Sequence, residues 1–553
     1  MSPAVLWFAL LLGFTACSLH DVPEPVVAAP AGTFRGKILA SPSGATFASY
    51  RGIPYALPPT GERRFALPEA FPKIEDGIYD ASKFGSICLQ HEDGVSVGQE
   101  DCLFLNVYTP LVDKDAEDEQ RKVLVFIHGG GFVVGASNIY IPGELVAKGN
   151  VAVVTINYRL GWLGFLRGNP ESLPGNQAFH DQVLALKWVQ ENIEAFGGNP
   201  HDVTLAGESA GALSVSVLSI SPLTRNLFNK AIVMSGTAFT FPTPSQQSRD
   251  LLETAQRVVG CENEENVISC LQEQPAENFE MAFTSAILTK LTSSGDALLP
   301  KPIPELVNDV EYLNSVGFFS RDYIVSITKH DGYIRVNSLF GILNITTIES
   351  SVESISKLLQ LPDYVTELLV HEYLDLYEDV EKAVIALNTD YFYLQRSNYF
   401  LNAFGKGSGK GSQTEGKNIY FMSFDPSPTF FPKQYAVHAM DLVHLFDVVP
   451  KTFLESFYFL EIEGDLSEDD LKLKSDFIQL VASFVKTGNP NDYLTAEKNM
   501  TWLSYDSKRK NYLSFSLQPS VHQNLYGARG IIWDKLVPQW KKEHESLKSK
   551  QEL

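Results

Sequence analysis

Gly207-Glu208-Ser209-Ala210-Gly211 sets a serine between two glycines at a place where the chain changes character. Before it, Val203 to Ala206 is a short apolar run of strand type; after it, Ala212, Leu213, Val215, Val217 and Leu218 give a helix. A strand that turns directly into a helix forces the residue between them into a strained backbone conformation. Small neighbours let that turn close with the Ser209 hydroxyl clear of the sheet. The chemistry this suits is nucleophilic attack. A serine hydroxyl is too weakly acidic to attack a carbonyl at neutral pH unaided, so it needs a base within hydrogen-bond reach and donors for the oxyanion that forms. His128-Gly129-Gly130-Gly131-Phe132 follows the apolar run Val123 to Ile127, and successive glycines let main-chain N–H groups face a ligand with no Cβ in the way.

These groups need a scaffold, and its elements are legible. Val123–Ile127 and Val151–Ile156 read as strands buried on both faces. Between Phe179 and Phe196 the residues Val183, Leu184, Leu186, Val189 and Ile193 recur mostly at helical spacing, and Gly197-Gly198-Asn199-Pro200 ends that helix. The strand before Ser209, the helix after it and a strand at Ala231–Met234 continue the alternation. Strand, helix, strand in succession implies βαβ units: an α/β fold with a mostly parallel sheet and helices on both faces. From about residue 240 to 410 helical patterns dominate, broken by a strand at Tyr323–Thr328, and this stretch is expected to wall the site. A strand at Ile419–Phe424 and a helix from about Ser467 to Lys486, closed by Gly488-Asn489-Pro490, complete the expected core. Gly405 to Gly416 reads as a mobile surface loop. No internal repeat and no linker divides the 553-residue chain, so residues 19–549 are read as one large domain.

Longer blocks carry a resemblance. Phe196-Gly197-Gly198 running through to Gly207-Glu208-Ser209-Ala210-Gly211, and Glu100-Asp101-Cys102-Leu103-Phe104-Leu105-Asn106 with Pro110 after it, are similar to the signatures of the type-B carboxylesterase and cholinesterase family of α/β-hydrolases. Asn157-Tyr158-Arg159-Leu160-Gly161 and Gly175-Asn176-Gln177 with Asp181-Gln182 resemble further family blocks, for which structural roles are expected. The resemblance covers nearly all of the chain beyond its first residues. It implies an α/β-hydrolase fold, Ser209 as nucleophile, and an oxyanion hole from the N–H groups of Gly130, Gly131 and Ala210. It implies a base late in the chain, ahead of an acidic residue, which His438 in Val437-His438-Ala439-Met440-Asp441 fits; His444 is the nearest rival. The family's acid follows a strand and precedes a glycine, usually as Glu-Gly. Here Asp331 takes that place in Lys329-His330-Asp331-Gly332, one methylene shorter, with Asp441 and Glu208 as alternatives. The order Ser, acid, His matches the α/β-hydrolase arrangement. No cofactor is required.

The implied activity is carboxylesterase-like hydrolysis of small to medium uncharged esters through an acyl-enzyme. Cholinesterases of this family hold a quaternary ammonium against a tryptophan in the loop closed by the first disulfide. Here Leu89 to Asp101 contains no Trp, Tyr or Phe, so acetylcholine specificity is not expected. Two other readings remain at this level, a lipase and a non-catalytic adhesion or binding relative.

Composition narrows the rest. With 44% hydrophobic and 20% charged residues the chain can bury a large core, and a formal charge of −22 argues against nucleic acid as a partner. Ala4 to Ala16 is apolar and followed by small residues, so residues 1 to about 18 are read as a signal peptide, with an uncleaved anchor as the alternative. No later run has the length of a transmembrane span. Beyond Cys17, short separations favour bridges Cys88–Cys102 and Cys261–Cys270 over the two crossed pairings, and the resemblance implies the same pairs. Metal-ligand spacing is absent. Asn344 and Asn499 head glycosylation sequons. Lys550-Gln551-Glu552-Leu553 resembles an endoplasmic reticulum retrieval signal, which would add a retrieval receptor as partner to the ester substrate. The expected location is the reticulum lumen, or outside the cell.

Overall fold

Apolar runs with no polar face must be covered from both sides, and the strand ahead of the glycine loop shows how. Val123, Val125 and Ile127 enter one hydrophobic core while Leu124 and Phe126 enter a second core on the opposite face. The computed structural model describes residues 24–92, 95–111, 120–168, 171–238, 247–262, 266–279, 295–336, 347–408, 416–433, 435–450, 453, 462 and 464–551.

Among them, eleven strands form the main sheet: β1 (Lys37–Ala40), β2 (Thr46–Pro54), β3 (Phe104–Pro110), β4 (Arg121–Ile127), β5 (Ala152–Ile156), β6 (Gly198–Glu208), β7 (Lys230–Met234), β8 (Asp322–Thr328), β9 (Ile419–Phe424), β10 (Asn511–Phe515) and β11 (Ser520–Gln523). Their spatial order is β1-β2-β3-β5-β4-β6-β7-β8-β9-β10-β11. Pairing is parallel from β5 through β10 and antiparallel at both margins. The chain runs outward from β4 to β5 and then returns to β6 on the other side of β4. The carboxyl ends of β4 and β6 therefore flank a topological switch point, where open α/β sheets bind ligands.

Helices α1 (Gln177–Asn192) and α2 (Ala210–Ser219) pack into the first core. Farther along come α3 (Val380–Thr389), a π-helical turn at Asp390–Leu394, α4 (Gln395–Gly405) and the short α5 (Met440–Leu445). The 20-residue helix α6 (Glu468–Thr487) covers the second core through Leu473, Phe477, Val481 and Phe484. It starts at a reciprocal Ser467–Asp470 capping box and stops at Gly488, whose φ of 74° is the left-handed value a glycine adopts freely.

The expected parallel core and its helices are present, with β6 longer than the apolar run at Val203–Ala206 suggested. The antiparallel margins and the π-helical turn were not anticipated. Most of the expected Gly405–Gly416 loop, residues 409–415, lies outside the described residues, as do the proposed signal peptide, Asn344 and the last two residues. Among the described residues no helix is long and apolar enough to cross a membrane.

Candidate active site

Ser209 sits between β6 and α2 with φ 55° and ψ −119°, a conformation that L residues rarely hold. The packing around it allows no relaxation: its N–H donates to the carbonyl of Met234 on β7 at 2.9 Å, and its own carbonyl accepts from Leu213 N–H at 2.9 Å. A Cβ on Gly236 would lie 2.5 Å from the Ser209 carbonyl oxygen, and one on Gly211 would collide with the carbonyl of Ile127 at the end of β4. The two carboxyl ends are thus pressed together, and only a residue without a side chain fits between them.

The glycine loop lies against this corner. A Cβ on Gly129 would stand 3.1 Å from the Ser209 Cβ and 2.5 Å from Glu208 Oε2. Gly130, Gly131 and Phe132 have φ of 100°, 61° and 64°. That turn is tied by Val133 and Val134 N–H groups, both donating to the Gly130 carbonyl at 3.0 Å. No main-chain bond among the described residues takes up the N–H of Gly130, Gly131 or Ala210. His128, which opens the loop, is buried and stacked on Tyr158 at 4.4 Å, and the Tyr158 hydroxyl donates to the His128 carbonyl at 2.8 Å. Burial pushes the His128 imidazole down to about 4, so it serves as a neutral prop.

His438 and Asp331 meet as expected. The His438 Nδ1 lies 2.7 Å from Asp331 Oδ1, and both side chains are buried. The other carboxylate oxygen, Oδ2, accepts from Ser235 Oγ at 2.8 Å and from Thr328 N–H at 2.9 Å. Three donors on a short side chain fix its direction. Of the alternative acids, Glu208 contacts the opposite edge of the ring: its Oε1 is 3.1 Å from His438 Nε2. Asp441 is buried; burial, with Asp331 adding to it, pushes its carboxyl up to about 7. His444 lies away from this cluster, with Nδ1 3.0 Å from the Met440 carbonyl and its ring against Phe424.

Burial opposes charge on the His438 ring, but the Glu208 and Asp331 carboxylates outweigh it and push the imidazole up to about 9. The ring therefore reaches the Glu208–Ser209 corner as an imidazolium between two carboxylates. Two members of this cluster escaped sequence reasoning. Ser235 follows β7, at the carboxyl end of a parallel strand, with φ 55°; its position beside the switch point was the available signal. Tyr393, in the π-helical turn, places its ring 5.2 Å from that of His438, and nothing local in the sequence marks it.

The remaining blocks brace the site. Arg159 makes a two-armed ion pair with Asp181 at 2.8 and 2.6 Å, and Asn157 Nδ2 donates to the carbonyls of Ser86 and Cys102. Both local disulfides are formed, Cys88–Cys102 and Cys261–Cys270. Asn499 is exposed at the end of a helix.

The profile of the carboxylesterase family matches residues 23–533. The chain is 31% identical to the pyrethroid hydrolase Ces2e of Rattus norvegicus over 97% of this chain and 94% of that one. It is 30% identical to carboxylesterase 1E of Mus musculus, over 99% and 100%. It is 32% identical to acetylcholinesterase-1 of Trittame loki, over 85% and 88%. With the fold, the serine corner and this end-to-end similarity together, the chain belongs to the carboxylesterase family and is a carboxylic ester hydrolase.

Proposed function

We propose that Ser209 is the nucleophile, His438 the general base and Asp331 the residue that orients it, in hydrolysis of small to medium uncharged esters. The observation that carries this is the Asp331–His438 bond ending at the strained Glu208–Ser209 corner. Once the ring loses its Nε2 proton, that nitrogen accepts the Ser209 proton as Oγ attacks the ester carbonyl. The carbonyl oxygen becomes an oxyanion facing the N–H groups of Gly130, Gly131 and Ala210. His438 then protonates the leaving alkoxide, the alcohol departs and the acyl group stays on Ser209. Water then attacks the acyl carbon while giving a proton to His438; the bond from the acyl carbon to Oγ breaks, His438 returns the proton to Ser209 Oγ, and the acid leaves.

The absence of Trp, Tyr and Phe from the loop Leu89 to Asp101 removes the aromatic face a quaternary ammonium would need, which favours uncharged leaving groups. The experiment is a series of nitrophenyl esters of rising acyl length with wild type and Ser209→Ala. Wild type should turn over short and medium acyl chains and the variant none. Turnover of long chains alone would indicate a lipase, and wild-type inactivity on every ester would defeat the proposal in favour of a binding protein.

A signal peptide at residues 1 to about 18, glycans on Asn344 and Asn499, and retrieval through Lys550–Leu553 would place the enzyme in the endoplasmic reticulum lumen or outside the cell. Two formed disulfides support an oxidising compartment. Expressed in animal cells, the full chain should lose mass on peptide-N-glycosidase F treatment; a chain of unmodified mass would overturn this placement.

A further inference from the structure

We propose that His330 is a positioning residue for the catalytic pair, its imidazole holding the segment that carries His438 against the loop that carries Asp331. This inference rests on the assignment of His438 and Asp331 given above.

The two loops meet edge to edge. After β8 the acid loop is anchored by Lys329 N–H donating to the Phe424 carbonyl at 3.0 Å. The next residue, His330, forms an isolated parallel bridge with Val437, the residue before His438. Its N–H donates to the Ala436 carbonyl at 2.9 Å. In a regular parallel ladder the neighbouring N–H would go to a main-chain carbonyl. Here a side chain takes that role: Ala436 N–H donates to His330 Nδ1 at 3.1 Å. One residue thus grips Ala436 by both its main-chain polar groups. The ring is held in turn by Tyr435, 4.7 Å away.

An imidazole accepts through Nδ1 only when that nitrogen is unprotonated. Burial, with Lys329, Arg529 and Lys382 nearby, pushes His330 down to about 4, which keeps the lone pair available. The consequence falls on Asp331. Its carboxyl is one methylene shorter than the glutamate usual at this place, so its 2.7 Å bond to His438 depends on how closely the two backbones approach. The grip of His330 on Ala436 sets that approach two residues from the base.

Three variants test this. His330→Phe keeps a ring against Tyr435 and removes the acceptor, while His330→Asn puts an amide oxygen about where Nδ1 was. For a nitrophenyl ester, His330→Phe should lower kcat about tenfold with KM within about twofold, and His330→Asn should recover most of the loss. Melting temperatures should not follow the kcat ranking. If His330→Phe does not accumulate, His330→Ala against His330→Asn reads the same contrast. An unchanged kcat in the variant lacking the acceptor, a loss shared in full by His330→Asn, or a loss that tracks melting temperature would overturn the proposal. In each of those cases an active wild type leaves the assignment of the pair standing; a wild type inactive on every ester would remove both.

Discussion

In the proposed mechanism the His438 ring carries two opposite demands, because taking the Ser209 proton requires a free Nε2 and the resting site surrounds the ring with negative charge. Glu208 is the largest of the influences raising its pKa, and the result is a value of about 9. The base form therefore appears only as pH rises toward that value. Replacing Glu208 with Gln removes the charge and keeps the shape. Burial is then opposed only by Asp331 and, more weakly, Asp441, so the acid limb of the kcat/KM profile should move to lower pH by roughly one unit or more. A limb that stays put or moves upward would show that Glu208 does not set the proton affinity of the base. As candidates, Ser209, Asp331 and His438 could be picked out because each stands in a local pattern. The Glu208–Nε2 contact and the Ser235 donor were not, because they exist only where separate strand ends converge.

Strands were legible where a predominantly apolar run marks them. β4, β5, β7, β8 and β9 read as apolar runs because helices cover both of their faces. The margins lack such runs: β2 and β3 are largely buried but interrupted by Ser49, Arg51, Gly52, Asn106 and Thr109, β10 alternates buried and half-buried residues over five positions, and β11 has no buried residue. Such strands carry little periodic signal. Helix α6 announced itself at both ends, by Ser467 three residues before Asp470 and by Gly488 after Thr487. Ser467→Ala removes the side-chain acceptor for the Asp470 N–H and should cost about 1 kcal/mol in denaturant unfolding, with esterase activity of the folded protein unchanged. No loss of stability would mean that the cap contributes nothing beyond what water supplies.

At the scale of the whole molecule, the sheet topology delivers distant segments to one point. The switch between β4 and β6 brings the glycine loop to Ser209, and the neighbouring ends of β7, β8 and β9 bring Ser235, Asp331 and the His438 segment beside it. The α/β alternation was sufficient to foresee the parallel core of the sheet. It did not foresee how tightly the strand ends close, since that depends on missing Cβ atoms at Gly129, Gly211 and Gly236. The most direct test is covalent. A fluorophosphonate needs both an activated serine and an oxyanion site to react, so intact mass and peptide mapping should find one adduct, on Ser209. His438→Gln should slow its formation by about a thousandfold or more. An adduct on another residue, or equally fast labelling of Ser209 without the imidazole, would contradict the account.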